Sequence, residues 1–188
     1  MDNMSRRDQI LLVGYELAGK HGLEGIHART IATELSINHA AVHYYFKTRT
    51  DLFVALIGYS QKRYDSDLAR VRDGQTTTSG KLEAHVALYE AYARPSSRFF
   101  RVVTSMFVAA VGETRLKTAL QNLVQHQQSC LAEDLKNAKA AGVLREIPMS
   151  DPVVLLDYLY GICLHSQMVG AKDPTDQIDR LLAELIER

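Results

Sequence analysis

Apolar residues recur every three to four positions along this chain, the period of one side of an α-helix. From Met4 to His21, Ile10, Val13, Leu17 and Ala18 share a face, and Gly22 stands where a helix C-terminus favours a left-handed residue. Ala28 to Leu35 sets Ile31, Ala32 and Leu35 on one side, predicting a two-turn helix too short to persist alone. Ser36 to Asn38 connects it to a second short helix from His39 to Phe46, with Asn38 as N-cap acceptor. Two short helices joined this closely predict a helix-turn-helix over about residues 27–46. Thr48 and Asp51 then form a T-x-x-D capping pattern before Leu52, Phe53, Leu56 and Ile57, predicting a long fourth helix that reaches Val71.

Beyond it, Gly, Pro and polar clusters at 74–80, 95–97, 112, 142–152 and 170–174 cut the chain into helix-sized pieces. Lys81 to Arg94 and Ser97 to Val111 read as helices, while Leu116, Leu120, Leu123, Gln127, Leu131, Leu135 and Ala138 outline one face of a longer one ending at Gly142. Asp151-Pro152 and Asp173-Pro174 each place an N-cap acid before a Pro at the first helical position, so two more helices start there. Alternating strand patterns are absent, and about nine helices in an all-α fold result. Val153 to Val169 is apolar nearly all round, which one copy of a chain rarely buries completely. Leu155, Leu159 and Ile162, with Ile178, Leu181, Leu182 and Leu185 of the last helix, are therefore expected at a homodimer interface, closing a bundle across a two-fold axis.

Composition narrows the function classes. The chain has 188 residues, 46% hydrophobic and 23% charged, the balance of a folded globular protein. Its formal net charge is zero, so any nucleic-acid contact must come from local geometry. Cys130 and Cys163 form no CxxC pair, which suits a reducing compartment, and no apolar run is long enough to span a membrane; a cytoplasmic location without membrane attachment is expected. No GxSxG, Walker loop, HExxH or Gly-rich dinucleotide turn occurs, so an enzyme is not expected and no cofactor is implied.

The stretch RTIATELSINHAAVHYYFKTRTDLF, from Arg29 to Phe53, resembles the TetR family of regulators: an Ile-Ala helix, a short turn, an aromatic-rich helix ending in Tyr-x-Phe or His-Phe, then a Lys-x-Lys-x-x-Leu-like run. The chain departs from the family's frequent residues at Ala18, His27, Ser36 and His43. The resemblance implies an N-terminal helix-turn-helix DNA-binding domain at 4–64 joined to a helical ligand-binding and dimerisation domain at 65–188. It implies a transcriptional regulator, most often a repressor released from a palindromic operator in double-stranded DNA by a small-molecule ligand. Small residues such as Ala40 and Ala41 let a helix approach bases in a major groove. Asn38, His39, Ala40, His43 and Tyr44 are the expected contacts on that helix, with base reading by His39, Ala40 and His43, while Val42, Tyr45 and Phe46 should face inward. Lys47 and Arg49 at the start of the fourth helix, and Arg29 and Thr30 at the start of the second, are expected to hold phosphates.

The resemblance also places a ligand cavity among the later helices, where His85, Tyr89, Tyr92, Phe100, Met106, Phe107, His126, Gln127 and Cys130 are candidate lining residues for an apolar or aromatic small molecule. His39 with His43, and His126 with Cys130, lie four apart on helices, a spacing that can share a metal, but no third or fourth ligand is evident and no metal site is assigned. The rival reading is a dimeric helical protein that binds small molecules or a protein partner without specific DNA affinity.

Overall fold

The computed structural model describes residues 4–170 and 173–187; within the expected loop from Gly170 to Pro174, residues 171 and 172 lie outside the described residues. Among the described residues nine α-helices form: α1 (Arg6–His21), α2 (Ala28–Glu34), α3 (His39–Tyr45), α4 (Arg49–Arg72), α5 (Thr78–Ala93), α6 (Arg98–Ala109), α7 (Thr114–Ala140), α8 (Pro152–Val169) and α9 (Pro174–Leu185). Short 3-10 turns stand at Leu23–Gly25 and Pro148–Ser150, and one isolated antiparallel bridge joins Leu144 to Ile186. The helix starts follow from side-chain acceptors for otherwise unpaired N–H groups. Asn38 Oδ1 accepts from the Ala40 amide at 2.8 Å, Asp151 Oδ1 from Val153 and Val154, and Asp173 Oδ1 from Thr175. Thr48 and Asp51 cap each other: Thr48 Oγ1 accepts from the Asp51 amide at 3.0 Å, and Asp51 Oδ2 accepts from the Thr48 amide at 2.9 Å. His27 begins α2 without a capping bond from its side chain.

The helices sort into two compact units, the first made of residues up to 64 with 98–123 and the second of 65–97 with residues from 124 onward. In the first unit α1 packs on α6. Gly19 permits that approach, since a Cβ there would lie 2.8 Å from the Cβ of Arg98. Beside it Arg98 Nε pairs with Glu16 Oε2 at 3.0 Å. Ile10, Ile26, Ile31, Val42, Phe46 and Leu56 are all buried, which ties α2 and α3 to α1 and α4. Tyr45 was expected to face inward, yet it is 39% exposed and packs edge-on against Tyr44 at 5.1 Å between ring centres. The short α3 turns its buried side through Val42 to Phe46, and position 45 falls outside that arc. In the α2–α3 connection Ser36 adopts φ +53, the only positive φ at a non-glycine among the described residues.

In the second unit α5 packs against α8 and α9 through a core that includes Leu82, Val86, Leu155, Leu159, Ile178 and Leu181. Six of the seven positions expected at a dimer interface, Leu155, Leu159, Ile162, Ile178, Leu181 and Leu185, are thus buried inside a single chain, and Leu182 is half-buried. Hydropathy alone cannot tell which arc of an all-apolar helix meets its own core. The arc of α8 that stays exposed carries Val153, Val154, Tyr158, Leu164, Met168 and Val169, with Met168 73% exposed. These positions fall on one side of the helix at 3.6 residues per turn.

A charged cluster lies within the second unit. Asp134 Oδ2 accepts from Arg72 and stands 2.6 Å from His85 Nδ1, with His85 fully buried. Burial pushes the His85 pKa below its ordinary value, outweighing the hydrogen bond and attraction of Asp134, to which the neutral imidazole can donate its Nδ1–H.

Two measurements follow from these local features. Ser36→Gly relieves the left-handed backbone and is expected to raise the unfolding free energy by about 0.5–1 kcal/mol; a lower thermal midpoint in that variant would contradict the strain. Because folded His85 resists protonation, its contribution is complete above about pH 6.5 and is lost as pH falls below that value, where the unfolded chain takes up the proton first, at up to about 1.4 kcal/mol per pH unit. Denaturant titrations at pH 7.5, 6.5 and 5.5 should therefore show a steeper loss for the parent than for His85→Gln. Equal slopes would remove His85 as the cause.

Candidate nucleic-acid interface

The two short helices and the start of α4 enclose one exposed cleft. Its volume is about 560 Å³, and its walls are Ile26, His27, Ala28, Arg29, Thr30, His39, Val42, His43, Phe46, Thr48, Arg49 and Leu52. The floor is apolar because Val42, Phe46, Ile26 and Leu52 belong to the core that holds α2 and α3 in place. The rim is polar: Arg29, His39, His43 and Arg49 are exposed, and Thr30 is half-buried. His39 and His43 lie one turn apart on α3, with ring centres 6.2 Å apart and planes nearly perpendicular. Five of the residues expected to contact DNA thus border a single depression: Arg29, Thr30, His39, His43 and Arg49.

The other four stand apart from it. Asn38 spends its Oδ1 on capping α3, and Ala40 is an exposed small residue in the first turn of that helix. Tyr44 is 73% exposed, and the Lys47 ammonium sits 5.6 Å from the centre of its ring, a cation–π pair at the edge of the surface. Arg49 is more committed than its sequence position suggested. Its guanidinium donates to the Leu23 carbonyl at 2.9 Å, lies 3.9 Å from the Glu24 carboxylate and stacks over Phe53 at 5.0 Å. It fastens the Leu23–Gly25 turn to α4 while still lining the cleft.

Sequence reasoning passed over two groups. His27, in sequence only a departure from the family's frequent residue, is exposed and lines the cleft. Arg115 and Glu113 reach the start of α4 from the α6–α7 corner, Arg115 donating to Asp51 Oδ1 at 2.8 Å and Glu113 Oε2 accepting from Thr50 Oγ1 at 3.3 Å. No local pattern announces contacts across more than 60 positions. The Arg115 guanidinium, followed by the Thr48 contacts, holds the Asp51 carboxyl below the ordinary carboxylate range.

The residues expected around a ligand divide between the units: Phe100, Met106 and Phe107 belong to the first, and His85, Tyr89, Tyr92, His126, Gln127 and Cys130 to the second. Phe107 is 41% exposed, whereas Phe100, Met106, His85, Tyr89, Tyr92 and Gln127 are buried. Within the second unit Tyr89 packs against Tyr92 and Tyr160, with ring centres 5.7 and 6.4 Å away. Tyr160 donates to Gln127 Oε1 at 2.5 Å, and the buried Gln127 Nε2 has no hydrogen-bond partner. His126 Nε2 lies 2.6 Å from Asp65 Oδ1 and 3.8 Å from Cys130 Sγ. Among the described residues no group of three or more His, Cys, Asp or Glu side chains is placed to hold a metal ion. Burial raises the Cys130 thiol pKa and pushes that of Cys163 up to about 12, so thiolate is disfavoured at both. No helix among the described residues is long and apolar enough to cross a membrane.

Residues 10–56 match the family model of bacterial regulatory proteins, tetR family, a span that covers the helix-turn-helix and the first turns of α4. The nucleoid occlusion factor SlmA of Haemophilus influenzae is 26% identical over 157 residues, covering 81% of this chain and 72% of that protein. A TetR-family transcriptional regulator from Rhodococcus sp. superposes with a TM-score of 0.78 over 95% of both chains at 20% identity. A transcriptional regulator from Saccharomonospora viridis, solved in complex with choline, superposes with a TM-score of 0.80 over 97% of this chain and 98% of its own at 16% identity. Residues 10–56 thus carry the N-terminal pattern of the tetR family of bacterial regulatory proteins, and the helical fold of the chain is similar to that of solved TetR-family regulators.

Proposed function

We propose that this regulator acts as a homodimeric repressor, holding a palindromic operator through two copies of the α2–α3–α4 surface and releasing it when a small ligand binds the second unit. The observation that carries the reading is the cleft at that surface, where Arg29, Thr30, His39 and His43 converge beside the exposed small residue Ala40. Ala40 keeps the first turn of α3 slim enough to approach base edges, and His39 and His43 supply ring nitrogens on the same side. Arg29, Thr30, Tyr44 and Lys47 are placed around it as phosphate contacts, fixing register without reading sequence. The formal net charge of zero makes this attraction local. In this reading the chain performs no catalysis.

Dimerisation supplies the second half-site reader. The exposed arc of α8, from Val153 and Val154 through Tyr158 and Leu164 to Met168, is the apolar face that favours a second copy of the chain. Two α3 helices held about 34 Å apart would meet successive major grooves. For the ligand, the buried Tyr89 and Tyr92 rings and the half-buried Tyr160 favour an apolar or aromatic body, and the unpartnered Gln127 Nε2 favours a carbonyl or carboxylate acceptor on it. The choline complex of the Saccharomonospora protein is a precedent for a small organic molecule on this fold. Helix α4 is continuous from Arg49 to Arg72 and contributes residues to both units, giving a route from ligand to DNA surface. Both cysteines are free thiols, consistent with work in the reducing cytoplasm.

Lys47→Ala combined with Tyr44→Ala is expected to weaken binding to a duplex selected from random-sequence DNA by at least about tenfold, and to flatten the dependence of log affinity on log salt by about one per Lys removed. Binding equal to the parent would remove these residues from the interface. Selection that enriches no sequence would favour the helical small-molecule-binding reading instead. Tyr158→Asp with Leu164→Asp should convert a dimer to a monomer by light scattering, whereas an unchanged mass would place the interface elsewhere.

A further inference from the structure

The first turn of α4 is tied down at four consecutive residues. Thr48 and Asp51 cap each other, Arg49 donates to the Leu23 carbonyl, Thr50 donates to Glu113 Oε2, and Asp51 Oδ1 accepts from Arg115. Asp51 therefore divides its carboxylate, with Oδ2 on the Thr48 amide and Oδ1 on a guanidinium brought from the far side of the sequence. Glu113 divides its own as well: Oε1 accepts from the Arg115 amide at 3.2 Å in the first turn of α7, while Oε2 holds Thr50. All of these residues belong to the first unit. The corner that carries them turns at Gly112, whose φ is +86.

We infer that Glu113 and Arg115 are positioning residues for DNA binding, acting as a clasp that fixes the Lys47–Thr48 turn against the α6–α7 corner without touching DNA. The inference rests on the DNA-binding reading above, because the turn matters only if Lys47 and its neighbours meet a phosphate backbone. The physical argument is one of register. Lys47 has no helix to hold it, being the residue just before the Thr48–Asp51 cap. Its placement follows from the Thr48 amide bonded to Asp51 Oδ2, and Arg115 fixes the orientation of that carboxylate. Arg115 is 59% exposed and Asp51 29%, so the pair adds little to global stability. Its effect is local, on where a surface turn sits. Movement of the α6–α7 corner away from α4 would break the Arg115–Asp51 and Glu113–Thr50 contacts together, loosening the DNA-facing turn while the α3 core stays packed.

The test is binding of a duplex selected from random-sequence DNA by the parent protein, measured across a salt series for Arg115→Ala, Arg115→Lys and Glu113→Ala, with circular dichroism to confirm that each folds. The clasp predicts that Arg115→Ala loses affinity by roughly three- to tenfold at an unchanged salt slope, and that Arg115→Lys stays near the parent. It also predicts that Glu113→Ala weakens binding, although deleting an acid near DNA would strengthen it through Coulomb attraction alone. A salt slope reduced by about one in Arg115→Ala would make Arg115 a direct phosphate contact and overturn the inference. Stronger binding by Glu113→Ala, or parent affinity in both alanine variants, would overturn it too. If the parent itself selects no sequence, the DNA-binding reading and the clasp fail together.

Discussion

Everything at the candidate DNA-binding surface depends on one constraint: α2 and α3 are seven residues each, and helices of that length do not hold in water. Their persistence comes from burial of Ile26, Ile31, Val42, Phe46, Leu52 and Leu56 in one small core shared with α1 and α4. Each fully buried aliphatic or aromatic side chain contributes roughly 1.5–3 kcal/mol. That scale sets the hierarchy at the interface. The core fixes where α3 lies, caps at Asn38 and Thr48 fix where helices begin, and only then do His39, His43 and Lys47 have defined positions.

The polar contacts in the first unit are mostly fasteners between pieces that the core brings near each other. Arg49 joins the Leu23–Gly25 turn to α4, Arg98 joins α6 to α1 beside Gly19, and Arg115 with Glu113 joins the α6–α7 corner to the α4 cap. None is deeply buried, so each is weak in stability and specific in geometry. The second unit does the opposite. It buries Asp134 against His85 and Arg72, where losing one partner would leave an uncompensated charge inside the protein. An arrangement of that kind favours one packing of α4, α5 and α7 segments over near alternatives.

Much of the candidate site was legible because its signals are local. The Thr48-x-x-Asp51 pattern became a reciprocal capping pair, Asn38 became the cap of α3, and five expected DNA contacts border one cleft. Arg49 shows the limit of such reading: a basic residue at a helix start looks free in sequence, yet its guanidinium is largely engaged by Leu23 and Phe53. Tyr45 shows another, since an aromatic in a short amphipathic helix was expected inside and lies 39% exposed. The α8 positions show a third. Leu155 and Leu159 are as apolar as an interface residue, and only packing against α5 and α9 reveals that they belong to the chain's own core.

By itself the sequence determined the helices, their order and the caps at Asn38, Thr48, Asp151 and Asp173, because helical periodicity and N-cap acceptors act over a few residues. The contiguous run from Arg29 to Phe53 also carried the resemblance to the tetR family, whose model matches residues 10–56. The tertiary structure alone decided which arc of α8 is exposed, which cations are engaged, and which distant residues reach the start of α4. Those outcomes depend on side chains separated by dozens of positions meeting in space, and no periodicity within one helix encodes its neighbour.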